Sequence, residues 1–234
     1  TGIPNYYRQF GYDMALNLVG RRFGYEAHLP KLKEDETEPF GIRLAQEKDS
    51  DFILRLYAET QKRYAISCKR TREIVQYELG GQSDDSINKV ETLIIEDKNG
   101  NAIGYLQHPR ILWADGLYAI MFELVNGASW LDVSPCVARY LWAKGGKYAA
   151  RDSISRFSWG LNLGDHHPAY EAMDDRLPAQ RKPYAFYVRV PDLPAFLNRV
   201  KPALEKRLAE SVAAGYTGEL RINFYTSAVR MAFE

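Results

Sequence analysis

The chain has 234 residues, of which 46% are hydrophobic and 26% charged, an ordinary globular composition that excludes disordered, collagenous and coiled-coil classes. Lys and Arg number 31 against 30 Asp and Glu, a net charge of +1, so whole-molecule electrostatics offers no attraction to nucleic acid or anionic lipid. No run approaches the roughly 18 apolar residues of a membrane span and no signal-peptide pattern opens the chain, so no membrane partner and a cytoplasmic location are expected.

At about 150 residues per domain the length suggests one to two domains. Two cysteines, Cys68 and Cys136, build neither a disulfide framework nor a Cys-x-x-Cys motif and read as buried free thiols. The chain opens at Thr1-Gly2 without methionine and closes on Val229 to Glu234, which reads as a strand cut at its end; a fragment of a longer protein is expected.

In chain order, residues 17–38 are polar and end in the acidic run Glu34 to Glu38 before Pro39, the pattern of a solvated linker. Phe40 to Ala45 reads as a short strand. Lys48 to Asp51 then caps a helix with the stripe Phe52, Ile53, Leu56, Tyr57 and Thr60. A second short helix starts at Thr71 and breaks at Gly80-Gly81. Strands follow over Val90 to Glu96 and Ala102 to Gln107, joined around Asn99-Gly100, which predicts a two-residue type I′ hairpin. A third strand, Leu117 to Val125, is apolar almost throughout, as burial on both faces requires. Ser134-Pro135 reads as the N-cap and first residue of a helix ending at Gly145. Ser155 to Leu163 alternates as a half-buried strand.

After a loop containing Asp165-His166-His167-Pro168, Tyr184 to Val190 is a strand. Asp192 caps a helix that Pro202 kinks or restarts and Gly215 ends. Leu220 to Tyr225 and Val229 to Phe233 alternate as a hairpin, with Leu220, Ile222 and Phe224 on one face and Val229, Met231 and Phe233 on the corresponding one.

The opening segment, Gly2-Ile3-Pro4-Asn5-Tyr6-Tyr7-Arg8-Gln9-Phe10-Gly11-Tyr12, resembles the last helix and strand of the GCN5-related N-acetyltransferase (GNAT) superfamily, where Tyr-x-x-x-Gly-Phe/Tyr is common. The element order of residues 40–163 is similar to that of the same superfamily. Pro183-Tyr184-Ala185-Phe186-Tyr187-Val188-Arg189-Val190-Pro191-Asp192, with Gly218 to Ile222, resembles the junction into a sterol-carrier-protein-like domain. Together these look like multidomain acetyltransferases of the enhanced intracellular survival type.

That resemblance implies an α/β fold: a GNAT-like mixed, mainly antiparallel sheet flanked by helices, with an incomplete C-terminal α+β sterol-carrier-like unit. It implies three segments, namely the tail of a first GNAT domain plus linker over 1–38, a second, degenerate GNAT domain over 39–182, and the start of the sterol-carrier-like domain over 183–234. The implied activity is acetyl transfer from acetyl-CoA to a small-molecule or peptide amine, with self-association into a homo-oligomer compatible. Tyr7 aligns with the family's general acid, a phenol that keeps its proton at neutral pH and could deliver it to sulfur. The family's chain-terminal carboxylate base is not carried over to Glu234, which ends an unfinished hairpin.

The family's Gln/Arg-x-x-Gly-x-Gly/Ala turn, which aims backbone N–H groups at the CoA pyrophosphate, has no good match. Arg8, Gly11, Asp13 and Arg21, Gly24, Glu26 are near misses that each end in a carboxylate. At the corresponding place in the second unit stands Asn126-Gly127-Ala128-Ser129-Trp130-Leu131-Asp132. The chain is therefore expected to lack the acetyl-CoA site and to serve as a scaffold for the acceptor pocket.

The His166-His167 pair reads as a polar turn rather than a zinc site, because adjacent side chains diverge and Pro168 places them in a loop. Lys62, Arg63, Lys69, Arg70 and Arg72 read as a solvated basic face. Trp113, in a loop beside Asp115-Gly116, is the best candidate for a substrate-pocket residue among the four tryptophans. The alternative from another class is a non-catalytic binding or assembly module for an apolar ligand or sister subunits.

Overall fold

The structure, a computed structural model, describes residues 3, 5–18, 20–64, 66–113, 115–164, 166–182, 184–225 and 227–234. Thr1, Gly2 and Pro4 of the opening segment, Asp165 of the histidine loop and Pro183 of the junction lie outside the described residues. The chain forms two compact units: Asn17–Tyr184, and Thr1–Leu16 with Ala185–Glu234. Among the described residues no helix is long and apolar enough to cross a membrane.

In chain order the strands β1 (Tyr12–Leu18), β2 (Arg21–Gly24) and β3 (Gly41–Leu44) come first, followed by helices α1 (Ser50–Thr60) and α2 (Arg72–Gln76). Strands β4 (Val90–Glu96), β5 (Ala102–Pro109), β6 (Gly116–Ala119) and β7 (Met121–Leu124) lead into the long helix α3 (Trp130–Arg151). Then come β8 (Ser158–Leu161), α4 (Pro168–Ala172), β9 (Ala179–Arg181), β10 (Tyr184–Arg189), α5 (Leu193–Ala209), β11 (Gly218–Asn223) and β12 (Ala228–Phe233).

The larger unit carries two four-stranded sheets, β3-β4-β5-β7 and β6-β8-β2-β9. The first is antiparallel throughout; in the second only β6 and β8 run parallel. The period-two alternation of strands sorts the core. Leu93, Ile95, Leu106, Phe122 and Leu124 pack with Val133, Val137 and Leu141 of α3, whereas Ile94 and Tyr105 pack with Ile53 and Leu56 of α1 and Val75 near the end of α2. Burial on both faces explains the near-continuous apolar runs of these strands.

Several elements differ from the expectations, each for a physical reason. Residues 21–24, expected in a solvated linker, form β2 because their backbone is paired on both sides, by β8 and β9. The hairpin at Asn99-Gly100 is a three-residue loop, not a two-residue type I′ turn: Gly100 N–H donates to Asp97 O (3.0 Å) and Asp97 N–H to Asn101 O (3.0 Å). Only Gly100 takes a positive φ there (79°), while Asp97 Oδ1 accepts from Asn99 N–H (2.8 Å) and Asn101 N–H (2.9 Å) and holds the turn.

Helix α3 starts five residues earlier than the Ser134-Pro135 signal suggests. Ser129 is its N-cap, its Oγ accepting from Asp132 N–H (3.3 Å), and the earlier turn buries Val133 completely. Gly145 does not stop the helix. It lies in the helix interior, where a Cβ would come within 2.8 Å of the Phe157 ring, itself stacked on Trp142 at 4.2 Å. The strand expected over Ser155 to Leu163 is confined to β8, all four residues of which are buried rather than half-buried. Cys136 is buried as expected, but Cys68 is exposed.

In the smaller unit β1 pairs with β10, and β11 pairs antiparallel with β12 in the register Leu220↔Met231 and Ile222↔Val229, which brings the predicted apolar faces opposite one another. Asp192 caps α5 through Ala195 N–H (2.8 Å), and one helix runs through Pro202 without restarting.

Candidate functional site

Residues 116–124 form one apolar run that changes partners halfway. Gly116 to Ala119 pairs with Ser158 to Leu161 of β8, and Met121 to Leu124 pairs with Gly104 to Gln107 of β5. Between them Ile120 N–H donates to Gln107 O (2.8 Å), and Asn162 N–H donates to Ala119 O (2.8 Å) as the last bond of the parallel ladder. Beyond that point β7 and the chain after β8 separate, and a split opens between the two sheets.

Side chains line this split and leave a cavity of about 200 Å³ between Ile120, Met121 and Glu123 on one side and Asn162 and Leu163 on the other. Glu123, the one charged residue of the run, is 3% exposed and forms an ion pair with Arg63, which follows α1 in the turn Gln61–Arg63. On the same cross-strand register Tyr105 stands opposite Glu123. His167, at the head of α4, brings its Nε2 to 3.8 Å from Glu123 Oε2. Its ring meets Trp130 edge-on at 5.0 Å and stacks over Phe122 at 6.3 Å.

The proton position on His167 follows from geometry. Nδ1 accepts Ala169 N–H (3.2 Å) and so caps α4, which places the ring proton on Nε2. A metal would need the Nε2 lone pair, and among the described residues no group of three metal-ligating side chains occurs. His166 is exposed where His167 is buried, the divergence expected of neighbours.

Two cavities flank the Arg63–Glu123 pair. One, of about 200 Å³, is lined by Tyr57, Tyr64, Ile120, Glu123 and Asn162 among others. The other, of about 240 Å³, is lined by Arg22, Arg63, His167, Tyr170 and Glu171 among others. Burial raises the Tyr105 phenol strongly, with the Glu123 charge adding to the effect. Burial, then Glu123, raises Tyr64 as well.

The start of α3 is exposed at Ser129, Leu131 and Asp132. Ser129 satisfies Asp132 N–H, the Asp132 carboxylate stands in the first turn, and Trp130 packs inward on Phe122 at 5.0 Å.

Tyr7 lies at the start of the turn Tyr7–Phe10 in the smaller unit, 36% exposed, with its ring 5.2 Å from Tyr187 and 6.1 Å from Tyr12. Trp113 is 51% exposed in a turn closed by Trp113 N–H donating to Gly116 O (2.8 Å), and it lines neither cavity described above. The basic set around α1 and α2 is not one solvated face: Arg63 pairs with Glu123, Arg70 with Glu78, and the Arg70 side chain is only 7% exposed.

A second buried polar group sits on the opposite face of the first sheet. Glu91 forms an ion pair with Lys144 Nζ (2.7 Å) and accepts from Tyr148 Oη (3.1 Å), beside the fully buried His108. His108 Nδ1–H donates to Pro109 O (2.8 Å), and Nε2 accepts from the Tyr140 hydroxyl (3.2 Å).

No protein-family model matches the chain, and no curated protein matches it. Among solved structures it is similar to a conserved protein of unknown function from Enterococcus faecalis V583, described as a probable N-acyltransferase, with TM-score 0.54 and 16% identity over 82% of this chain and 44% of that one. It is also similar to a GCN5-related N-acetyltransferase from Anabaena variabilis ATCC 29413, with TM-score 0.51 and 14% identity over 95% of this chain and 50% of that one. The chain spans half or less of the length of these structures. At such identities the likeness is one of fold: the chain has a GNAT-like mixed α/β fold of antiparallel sheets flanked by helices.

Proposed function

We propose that this chain serves an acyl-CoA-dependent N-acyltransferase acting on a small-molecule or peptide amine, and that unit Asn17–Tyr184 is a GNAT-fold unit that does not itself transfer. The observation that carries this reading is the buried charge at the split. A strand pair that diverges after one parallel ladder would leave a slot for an extended thioester, and here the slot is bordered by the buried Glu123 carboxylate paired with Arg63 and narrows to a cavity of about 200 Å³. The α3 N-terminus adds to the misfit, since Asp132 presents negative charge where a pyrophosphate would need free N–H groups. These residues do not fit acetyl-CoA, and no transfer step is assigned to them. The unit's role is that of a scaffold.

On this reading Tyr7 remains the candidate general acid, and Trp113 the candidate contact to substrate. The Tyr7 ring is held by aromatic neighbours while part of its surface stays open, an arrangement that supports proton donation. The division into the tail of one GNAT domain, a degenerate second one and the start of a sterol-carrier-like domain belongs to the same proposal. A second reading, a binding or assembly module for an apolar ligand or sister subunits, draws on the exposed apolar residues Phe196, Leu204, Leu220, Ile222 and Phe224 of the smaller unit.

A radiolabelled acetyl-CoA assay of this chain against a panel of small amines and peptides tests the proposal. The expected result is no transfer above the uncatalysed rate. Turnover that is lost in Glu123→Gln would overturn it, because it would make the split an active site. In the transferring protein, Tyr7→Phe should lower turnover roughly 10- to 1,000-fold, within the usual worth of general acid catalysis.

A further inference from the structure

The cavity behind the Arg63–Glu123 pair has a donor that no described residue satisfies. His167 is 3% exposed and its Nδ1 is committed to capping α4, so Nε2 carries a proton; among the described residues no acceptor lies within hydrogen-bond distance of it. A buried donor left without an acceptor is costly, and its commonest explanation is a ligand or an ordered solvent molecule.

The rest of the lining has the same sense. Arg63 meets Glu123 through Nη2 and presents its remaining N–H groups, of the five a guanidinium carries, to a side chain environment that is 26% exposed. Arg22 lies over the Tyr170 ring at 4.9 Å, and its ion-pair partner Asp174 is 76% exposed, so the pair is weak and Arg22 can bond elsewhere. Donors from β2, from the turn after α1 and from the head of α4 therefore converge on about 240 Å³. Acceptors among the lining residues are fewer, chiefly the exposed Glu171.

We infer that this cavity binds a small monocarboxylate, its two oxygens accepting from His167 Nε2–H and from the guanidinium groups of Arg22 and Arg63. A planar carboxylate matches the guanidinium fork. A phosphate dianion matches less well, because Glu171 at the lining and Glu123 behind Arg63 add negative charge that a monoanion tolerates better. The Tyr170 ring and Pro168 provide apolar wall for a short alkyl chain. Arg63 and His167 also border the split, but butyrate binding does not require that the split exclude acetyl-CoA, so the two proposals can fail separately.

The test is a titration of the chain with butyrate, with inorganic phosphate at matched ionic strength as the second arm, read from the Ala169 amide and the His167 ring by nuclear magnetic resonance. Saturable butyrate shifts are expected, with a dissociation constant on the order of 1–10 mM, as suits a ligand of few atoms. His167→Asn keeps an N-cap acceptor for Ala169 and deletes the Nε2–H, and Arg22→Gln removes one guanidinium; each should weaken binding about tenfold, read at the Ala169 amide. No saturable shift with butyrate, equal binding of phosphate, or unchanged affinity in both folded variants would overturn the proposal.

Discussion

Glu123 and Tyr105 face each other across the β5–β7 pair, and the Glu123 carboxylate is closed by Arg63, which reaches it from 60 residues away in sequence. The charge is thus imposed by β7 and answered by the turn after α1, so the split between the sheets is bordered by a contact that neither sheet supplies alone.

Breaking that pair from one side should be costly. Arg63→Met leaves a nearly buried carboxylate uncompensated, for a loss of roughly 3 kcal/mol, the lower end for buried pairs because Arg63 is about a quarter exposed. The double variant Arg63→Met, Glu123→Leu should recover most of the loss, since an apolar pair of similar volume needs no desolvation of charge. Urea unfolding of the three proteins measures this; equal stabilities for the single and double variants would contradict it.

The His108 cluster predicts a pH dependence. Burial, assisted by Lys144, lowers the imidazole below its ordinary 6.5, against the opposing pull of the Pro109 carbonyl and Glu91. The unfolded chain therefore binds the proton more readily than the folded one. The cluster's contribution is complete above about pH 6.5 and is lost as pH falls below it, with a slope of up to about 1.4 kcal/mol per pH unit for this one proton. Glu91 adds a loss at lower pH. Burial pushes its carboxyl up, but Lys144, His108 and Tyr148 outweigh this and hold it below 4.5, so its contribution fades as pH falls through that lowered value. Urea midpoints between pH 7.5 and 5, taken in wild type and in His108→Phe, should show the upper part of the slope in the first and not in the second.

Two glycines separate local from tertiary constraint. Gly100→Ala places a side chain at φ 79° with open space around it and should cost about 1 kcal/mol through the backbone alone. Gly145→Ala has helical backbone and would gain in propensity, but its Cβ meets the Phe157 ring at 2.8 Å, so a net loss of roughly 1–3 kcal/mol is expected. Thermal melts of both variants check the signs; stabilisation by Gly145→Ala would mean that Phe157 moves aside freely.

What could be read in advance follows the same division. The α1 stripe of Ile53, Leu56 and Tyr57 and the β4–β5 pairing depend on local period and turn chemistry, and both occur where the residues put them. The start of α3 was hidden because Ser134-Pro135 is a good local signal, and the burial of Val133 one turn earlier outweighs it. The site itself joins residues 63, 123 and 167, which no short window contains. One signal was present: Glu123 is a lone carboxylate inside a run otherwise fit for burial on both faces, and such a charge requires a partner. The absence of a glycine-rich turn before α3 was legible from residues 126–132 directly, because that feature is local.

Unit Asn17–Tyr184 has a GNAT-like fold whose split is narrowed to about 200 Å³ beside a buried carboxylate, and on the proposed function it does not admit acetyl-CoA. Isothermal titration of the chain with acetyl-CoA tests it most directly. No saturable heat is expected up to roughly 1 mM acetyl-CoA, a bound equivalent to less than about 4 kcal/mol of binding free energy. A one-to-one isotherm with a dissociation constant on the order of 1–10 µM, lost when Trp130 or Ser129 is replaced by a charged residue, would show that the split opens to admit the cofactor and would contradict the account.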